Sequence, residues 1–292
     1  MTETEAAVRL SSVFSTSVFG SLGAPDVGPI TRLRVLREME ATKDVSLTLG
    51  DAFDAAHDLL GKSYRNEYFF KNKLVSKIIF GRHNPRTASA LLEVPSGRSI
   101  ADLVIFNGTS TAYEIKTDFD SFSRLPSQLD DYRSRFEHVN VVTSMEKAAE
   151  AEKVVPASVG VIGIRKSGSL SIVRPSKSGF SELRHSSIFQ LLRQKEALGA
   201  LNRAIGYEVD VPSGDLWART KRLFVGLPIK LAHEEAIHQL KMRGMRSSTL
   251  ASTTGFPLSL RALAYGTELT AAARSRVASR LLTPLQDNNG FE

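Results

Sequence analysis

Asp102, Glu114 and Lys116 are the side chains in this 292-residue sequence whose types and spacing best suit a reaction. They lie in the run Arg98 to Thr117, R-S-I-A-D-L-V-I-F-N-G-T-S-T-A-Y-E-I-K-T. Two carboxylates within reach of each other form an oxygen site for Mg²⁺ or Mn²⁺, ions that keep several waters and bind through one or two carboxylates plus phosphate. The backbone carbonyl of Ile115 is a further candidate ligand. Such an ion polarises a scissile phosphate and lowers the pKa of a bound water. A Lys116 ammonium beside it can orient that water or offset charge developing on the phosphorane. The chemistry that follows is metal-assisted hydrolysis of a phosphodiester.

A β-hairpin must position these groups. Val104, Ile105, Phe106, Tyr113 and Ile115 carry the β-branched and aromatic bias of strands, and Asn107-Gly108 is a turn signal between them. Glu114 and Lys116, at i and i+2, project to one face while Ile115 takes the other. Asp102 shares that face only if Phe106 pairs with Ser110, which makes Asn107, Gly108 and Thr109 a three-residue loop with glycine in the left-handed position. A two-residue turn would pair Phe106 with Thr109 and send Asp102 to the opposite face. The expectation is the odd loop.

Around the hairpin the sequence alternates helix and strand. A helix is expected over Tyr64 to Phe80, with Phe70, Leu74 and Ile78 as its inward stripe. Glu67 falls on that stripe and has two readings: a buried carboxylate with a partner or a catalytic task, or a solvated group in a frayed first turn. Strands are expected at Ala88 to Val94, Val139 to Thr143, Val159 to Ile164 and Leu170 to Val173. Helices are expected over Arg124 to Phe136, where Gln128 and Tyr132 lie close at i and i+4, and over Glu146 to Val155. The order is α-β-β-β-α-β-α-β-β, a mixed α/β core. The chain divides into residues 1–62 (loop and short helices), 63–175 (the α/β core) and 176–292 (basic helices, including Ser187 to Ala204, Leu216 to Leu223, Ile229 to Met242 and Leu258 to Leu282). Residues 1 to about 28 read as loop, and 286–292 as a tail without structure.

Hydrophobic residues make up 42% of the chain, enough for a substantial core. Cysteine is absent, which excludes disulfides and thiolate metal sites. The acidic start and the lack of a long apolar run point to a soluble, cytoplasmic protein with no membrane partner. Net charge is +7, with the excess concentrated in the last two-fifths, which suits a polyanion such as nucleic acid. A protein partner or a second copy of the chain stays open.

Helix-borne Glu67, strand-borne Asp102 and then Glu114-Ile115-Lys116 resemble the PD-(D/E)XK nuclease superfamily, whose restriction-endonuclease-like core runs α-β-β-β-α-β. Here Ile100-Ala101-Asp102 replaces the Pro-Asp of the name. Gln128-x-x-x-Tyr132 resembles the additional motif of the RecB-like branch, and Y-E-I-K-T-D-F-D-S-F-S-R-L-P-S-Q-L-D-D-Y is similar to a group of poorly characterised bacterial and phage members. The resemblance spans about residues 64 to 173. It implies a Mg²⁺- or Mn²⁺-dependent deoxyribonuclease with Asp102, Glu114 and the Ile115 carbonyl as ligands, Lys116 acting on the water and Glu67 assisting, either bound to the metal through water or supporting a second ion. Gln128 and Tyr132 would contact DNA near the site. The alternatives are a catalytically silent nucleic-acid-binding or protein-interaction module, and an RNA nuclease.

Other motifs carry less. His233 and His238 are five apart, about 140° around a helix, so one metal does not readily take both, and a solvated face is the expectation. Gly160-Val161-Ile162-Gly163 lacks the phosphate-loop lysine and the dinucleotide spacing, so no nucleotide cofactor is expected. Trp217 reads as core or interface rather than as a base-stacking platform. Arg219, Lys221 and Arg222, with Arg243 and Arg246, can follow a phosphate backbone or form a solvated face.

Overall fold

The computed structural model describes residues 3–26, 31–40 and 47–285. In chain order the helices before the sheet are α1 (Glu3–Ser11), α2 (Thr16–Ser21), α3 (Arg34–Glu40), α4 (Leu49–Ser63) and α5 (Glu67–Leu74), the last running into a π-helical segment, Val75–Arg82. The central region contains β1 (Ser89–Ser96), β2 (Ser99–Phe106), β3 (Ser110–Ile115), α6 (Leu125–Arg133), β4 (His138–Ser144), α7 (Ala148–Val154), β5 (Gly160–Ile164) and β6 (Leu170–Arg174). After it come α8 (His185–Phe189), α9 (Gln194–Ile205), α10 (Leu216–Val225), α11 (Ile229–Ala251), α12 (Arg261–Gly266) and α13 (Ala271–Leu281). From α5 to β6 this is the α-β-β-β-α-β-α-β-β order expected from the sequence, and the class is mixed α/β.

The strands form a six-stranded sheet in sequential order. β1–β2, β2–β3 and β5–β6 are antiparallel, while β3–β4 and β4–β5 are parallel. Parallel neighbours need a crossover, and α6 and α7 supply the two. The β3, β4 and β5 runs bury nearly every residue, as parallel strands covered on both faces do.

Packing divides the chain into two compact units, Met1–Pro85 with Lys166–Gly168 and Ser247–Glu292, and Arg86–Arg165 with Ser169–Arg246. These units cut across the three sequence segments. In the first, the N-terminal stretch expected as loop folds as α1 and α2, with Ala7, Leu10, Phe14, Val18, Phe19 and Leu22 buried. The Ala, Ser and Gly that suggest a loop are interleaved with apolar residues at helical spacing, and α1 finds a partner in α4. Ser15 caps α2 by accepting from the Val18 N–H. The expected Leu258–Leu282 helix is interrupted between α12 and α13, where Thr270 caps the new start by accepting from Ala273 N.

In the second unit the core gathers Val104, Phe106, Leu125, Leu129, Phe136, Val141 and Val161 between the sheet and the helices, so α6 packs on β2 and β4. α8, α9 and α10 extend this core through Phe189, Leu201 and Phe224, so part of the expected basic helical region belongs to the same body as the sheet. The expected Ser187–Ala204 helix breaks between α8 and α9. No helix among the described residues is long and apolar enough to cross a membrane. The expected tail at 286–292 lies outside the described residues.

Candidate active site

The hairpin takes the odd loop. Phe106 pairs with Ser110, Ile105 with Thr111, Val104 with Ala112 and Leu103 with Tyr113, which places Asp102 across from Glu114. Gly108 adopts φ 73°, the left-handed conformation that a β-branched residue would resist, and Asn107 N donates to Thr109 O across the loop at 3.1 Å. Continuing the ladder one rung would bring the Ile115 N–H to Ala101. That N–H goes instead to the Asp102 carboxylate, donating to Oδ2 at 2.7 Å. The carboxylate thus occupies the opening where β2 and β3 part, at the carboxyl end of the parallel strand β3, the position where open α/β sheets bind ligands.

Glu114 and Lys116 are 2% and 5% exposed, a buried ion pair with Lys116 Nζ 2.7 Å from Glu114 Oε1. Such a pair is tolerated only when the remaining donors and acceptors are met. Gln128 meets one: its Oε1 accepts from Lys116 Nζ at 2.9 Å. Tyr132 meets another, its hydroxyl lying 2.7 Å from Glu114 Oε2 and 2.7 Å from Ile100 O, so one phenolic hydrogen is shared between carboxylate and carbonyl. Burial first, then the Glu114 charge, raises the Tyr132 pKa far above that of a free tyrosine, keeping it the donor. The four side chains form one hydrogen-bonded line, Gln128–Lys116–Glu114–Tyr132, between α6 and β3.

The sequence places Gln128 and Tyr132 together as expected, but Tyr132 is fully buried and has no surface to offer a nucleic acid. What it touches is Glu114. Gln128 is half-buried and its carbonyl faces Lys116.

Glu67 belongs to the first unit, at the first residue of α5, and its side chain is 54% exposed and 2.5 Å from Lys71 Nζ. The inward stripe of Phe70, Leu74 and Ile78 is as expected, but Glu67 is not on it. Asn66 caps the helix by accepting from Phe69 N at 3.0 Å, so α5 starts at Glu67 with no preceding turn to cover it, and the carboxylate sits at the positive end of the helix. The Glu67 side chain therefore lies solvated in a capped first turn.

Several supporting residues escape a reading of the sequence. Asp131 Oδ2 accepts from Ser99 Oγ at 2.7 Å and Arg98 N at 3.3 Å, tying the β1–β2 turn to α6. Gly97 in that turn has φ 73°, and an added Cβ would run into the Asp131 carboxylate. Glu93, which the β1–β2 register sets opposite Asp102, has φ 52°, an unusual conformation for a side-chain-bearing residue and one found near functional sites. After Lys116 the chain turns sharply, with Asp120 Oδ2 accepting from Thr117 N (2.8 Å) and Thr117 Oγ1 (2.7 Å), and Lys147 Nζ donating to Asp120 O at 2.5 Å. T-x-x-D directly after a strand was the one available signal for this turn. The other contacts are non-local and leave no trace in spacing.

One further expectation changes. His233 is buried, not solvated: its Nε2 is 2.9 Å from Ser110 Oγ, its ring meets Phe180, and burial lowers its pKa. Trp217 is 41% exposed, with its inner side on Phe189.

The donor set fits a hard divalent cation in part. Asp102 and Glu114 offer carboxylate oxygens on one face. Among the described residues no group of three or more His, Asp or Glu side chains is placed to hold a metal, so water, backbone carbonyl and phosphate oxygens would complete any shell.

A family model described as bacteriophage P4 protein cII matches residues 61–251. Protein cII of Enterobacteria phage P4 is 44% identical over 69 residues, which are 24% of this chain and 26% of that protein, so the match spans about a quarter of the relative. A solved structure of the SPO1766 protein of unknown function from Silicibacter pomeroyi matches at 18% identity and a TM-score of 0.29, covering 43% of this chain and 87% of that one, a score too low to carry an argument.

Proposed function

The chain belongs to the bacteriophage P4 protein cII family, and we propose that it is a metal-dependent deoxyribonuclease with a restriction-endonuclease-like core of the PD-(D/E)XK type. The observation that carries this reading is the Gln128–Lys116–Glu114–Tyr132 line, set on a hairpin whose register turns Asp102 toward Glu114. Any buried ion pair needs its remaining donors and acceptors met, and here the groups that meet them also hold Lys116 Nζ in one direction. A reactive lysine needs such a fixed direction.

In this reading Asp102 and Glu114 hold the cation, with the Ile115 carbonyl as a further ligand. Bound Mg²⁺ or Mn²⁺ supplies positive charge for the scissile phosphate and lowers the pKa of a water. Lys116 Nζ, anchored by two of its three donor positions to Glu114 and Gln128, presents the third to the attacking water or to charge developing on phosphate. Gln128 and Tyr132 act as positioning residues, and the partner is DNA. Glu67, paired with Lys71, is left out of this scheme.

The test is incubation of the purified chain with linear, circular and branched DNA plus Mg²⁺ or Mn²⁺, beside Asp102→Asn and Lys116→Gln. The amide of Asp102→Asn keeps an oxygen to accept the Ile115 N–H, so the fold is retained. Each variant is expected to lose at least about 100-fold in rate. Cleavage by both at the parent rate would exclude this site.

One observation favours a second reading, a catalytically silent nucleic-acid-binding module on the same scaffold: both Glu114 oxygens already accept hydrogen bonds from Lys116 and Tyr132. It predicts salt-sensitive binding with no metal-dependent cleavage in the same assay. RNA substituted for DNA distinguishes a ribonuclease.

A further inference from the structure

α10 presents a face that the site above does not use. At 100° per residue, Trp217, Lys221, Val225, Ala218 and Arg222 fall within about 140° of arc, and all five are exposed. The opposite arc, Leu216, Thr220 and Phe224, is buried against α8 and α9. The exposed arc therefore alternates an aromatic ring and small apolar groups with two cations, and α10 contains no acid.

The indole is held from beneath. Its ring centroid is 4.5 Å from that of Phe189, itself buried, and Phe189 continues into Phe224 at 5.5 Å. The Phe189 contact fixes one face of the indole and leaves part of the ring open to water, a flat surface on which a planar group can stack. Arg219, at the edge of the face, is occupied by Asp210, 2.5 Å away, and Tyr207 OH donates to the same carboxylate at 2.6 Å. That pairing neutralises Asp210 and leaves Lys221 and Arg222 as the exposed cations on the helix, with the exposed N-cap Asp215 as the acid at its start.

We infer that the exposed face of α10 is a docking surface for single-stranded nucleic acid, with a base stacked on Trp217 and backbone phosphates on Lys221 and Arg222. The occupant follows from charge and shape. A basic face calls for a polyanion. An open, braced indole between the cations calls for one with unpaired bases, since a duplex keeps its base faces stacked inside. A lipid surface would need a broader apolar face than one tryptophan and one valine, and an acidic peptide has no use for the flat ring. The inference rests on the nucleic-acid reading above and adds the strand state and the surface.

Trp217 is the single tryptophan of the chain, so its fluorescence reports on this face alone. The experiment titrates the full chain with a mixed-sequence single-stranded DNA of about 15 nucleotides, with chelator present so that no cleavage occurs, and repeats it with the duplex of the same sequence. Expected are saturable quenching by the single strand, weaker binding of the duplex, and, by anisotropy of labelled oligonucleotide, about tenfold weaker binding for Trp217→Ala than for Trp217→Phe. In Lys221→Ala/Arg222→Ala the slope of log K against log salt should fall by about 1.4, at ~0.7 per single-strand phosphate contact. Far-UV circular dichroism confirms folding of each variant. No quenching by the single strand, an unchanged salt slope in the double variant, or equal binding by Trp217→Ala and the parent would each overturn the proposal. Metal-dependent cleavage that is lost in Lys116→Gln is scored separately: cleavage without α10 binding sinks only this inference, and α10 binding without cleavage sinks only the nuclease.

Discussion

Replacing Tyr132 by Phe removes a single oxygen from the centre of the site and tests what holds Glu114 in place. The ring keeps its packing against Phe136, 6.4 Å away between centroids, so no cavity larger than a hydroxyl results. What is lost is one buried hydrogen shared between a carboxylate and a carbonyl. Because there is one hydrogen, its contribution is counted once. A hydrogen bond to a charged group is worth about 1.5–3 kcal/mol, and the acceptors left behind are desolvated, so the expected destabilisation is about 2–3 kcal/mol. That is roughly a 30- to 150-fold shift in the unfolding equilibrium of the unit bearing the sheet.

The assay is urea unfolding followed by Trp217 fluorescence, since Trp217 lies in that same unit. With a slope of about 2 kcal/mol per molar, the midpoint should fall by about 1 M or slightly more. A second signature comes from alkali. The folded Tyr132 pKa is raised, by burial and then by Glu114, so the folded state keeps a proton that the unfolded state releases above about pH 10. Stability from this group is present below that pH and declines as pH rises through it; the parent should therefore lose more stability on alkalinisation than Tyr132→Phe. Catalytically, a residue with no exposed surface should alter kcat and leave KM nearly unchanged. A variant with the parent's urea midpoint, alkaline profile and cleavage rate would refute the argument that Tyr132 orients Glu114.

Two further predictions use the same logic elsewhere. His57, packed among Phe14, Tyr68 and Phe69, has its pKa lowered to about 3 by burial and then by Lys73, so it stays neutral when folded and takes a proton only when unfolded. Its contribution is present above about pH 6.5 and is lost at up to about 1.4 kcal/mol per pH unit as pH falls toward 3; thermal melts between about pH 7 and pH 5 should show a smaller slope for His57→Gln than for the parent, the buried His233 keeping a share of its own, whereas identical slopes would refute it. Gly108→Ala should cost about 1 kcal/mol, because φ is positive although no atom lies within 4 Å of the added Cβ, and should leave cleavage intact. Deleting Gly108 instead should abolish cleavage with the sheet retained by circular dichroism, and persistence of cleavage would show that the loop parity does not set the site.

The hairpin was legible because its determinants are local: alternation fixes which residues share a face, and an Asn-Gly pair marks the turn. The same holds for Gln128 and Tyr132, one helical turn apart on α6. Legibility failed where a distant residue decides. Periodicity alone leaves Glu67 open between an inward and a solvated place, and the Asn66 cap decides it by making Glu67 the first helical residue, with its side chain exposed. His233 looks like part of a charged helix face, yet its partner is Ser110, 123 positions earlier on β3. The N-terminal helices looked like loop by composition, because nothing in their own sequence indicates that α1 has a partner in α4. For Gln128 and Tyr132 the spacing located the residues, and the geometry shows the contacts they make, with Lys116 and Glu114.

Those contacts bear on whether the line of hydrogen bonds blocks a cation or prepares for one. An ionised carboxylate has about four acceptor positions, and Glu114 uses one toward Lys116 and one toward Tyr132. The remaining lone pairs keep capacity for a ligand bond, while the two fixed donors remove the rotamer freedom that binding would otherwise have to freeze. Asp102 is constrained likewise, since its Oδ2 replaces a missing ladder rung at the Ile115 amide. The two carboxylates are therefore oriented by the fold, Glu114 by Tyr132 on α6 and by Lys116, and Asp102 by the backbone of β3. This predicts that loosening either anchor weakens metal dependence and stability together, a coupling that a merely structural salt bridge, with no cation to orient for, would not produce.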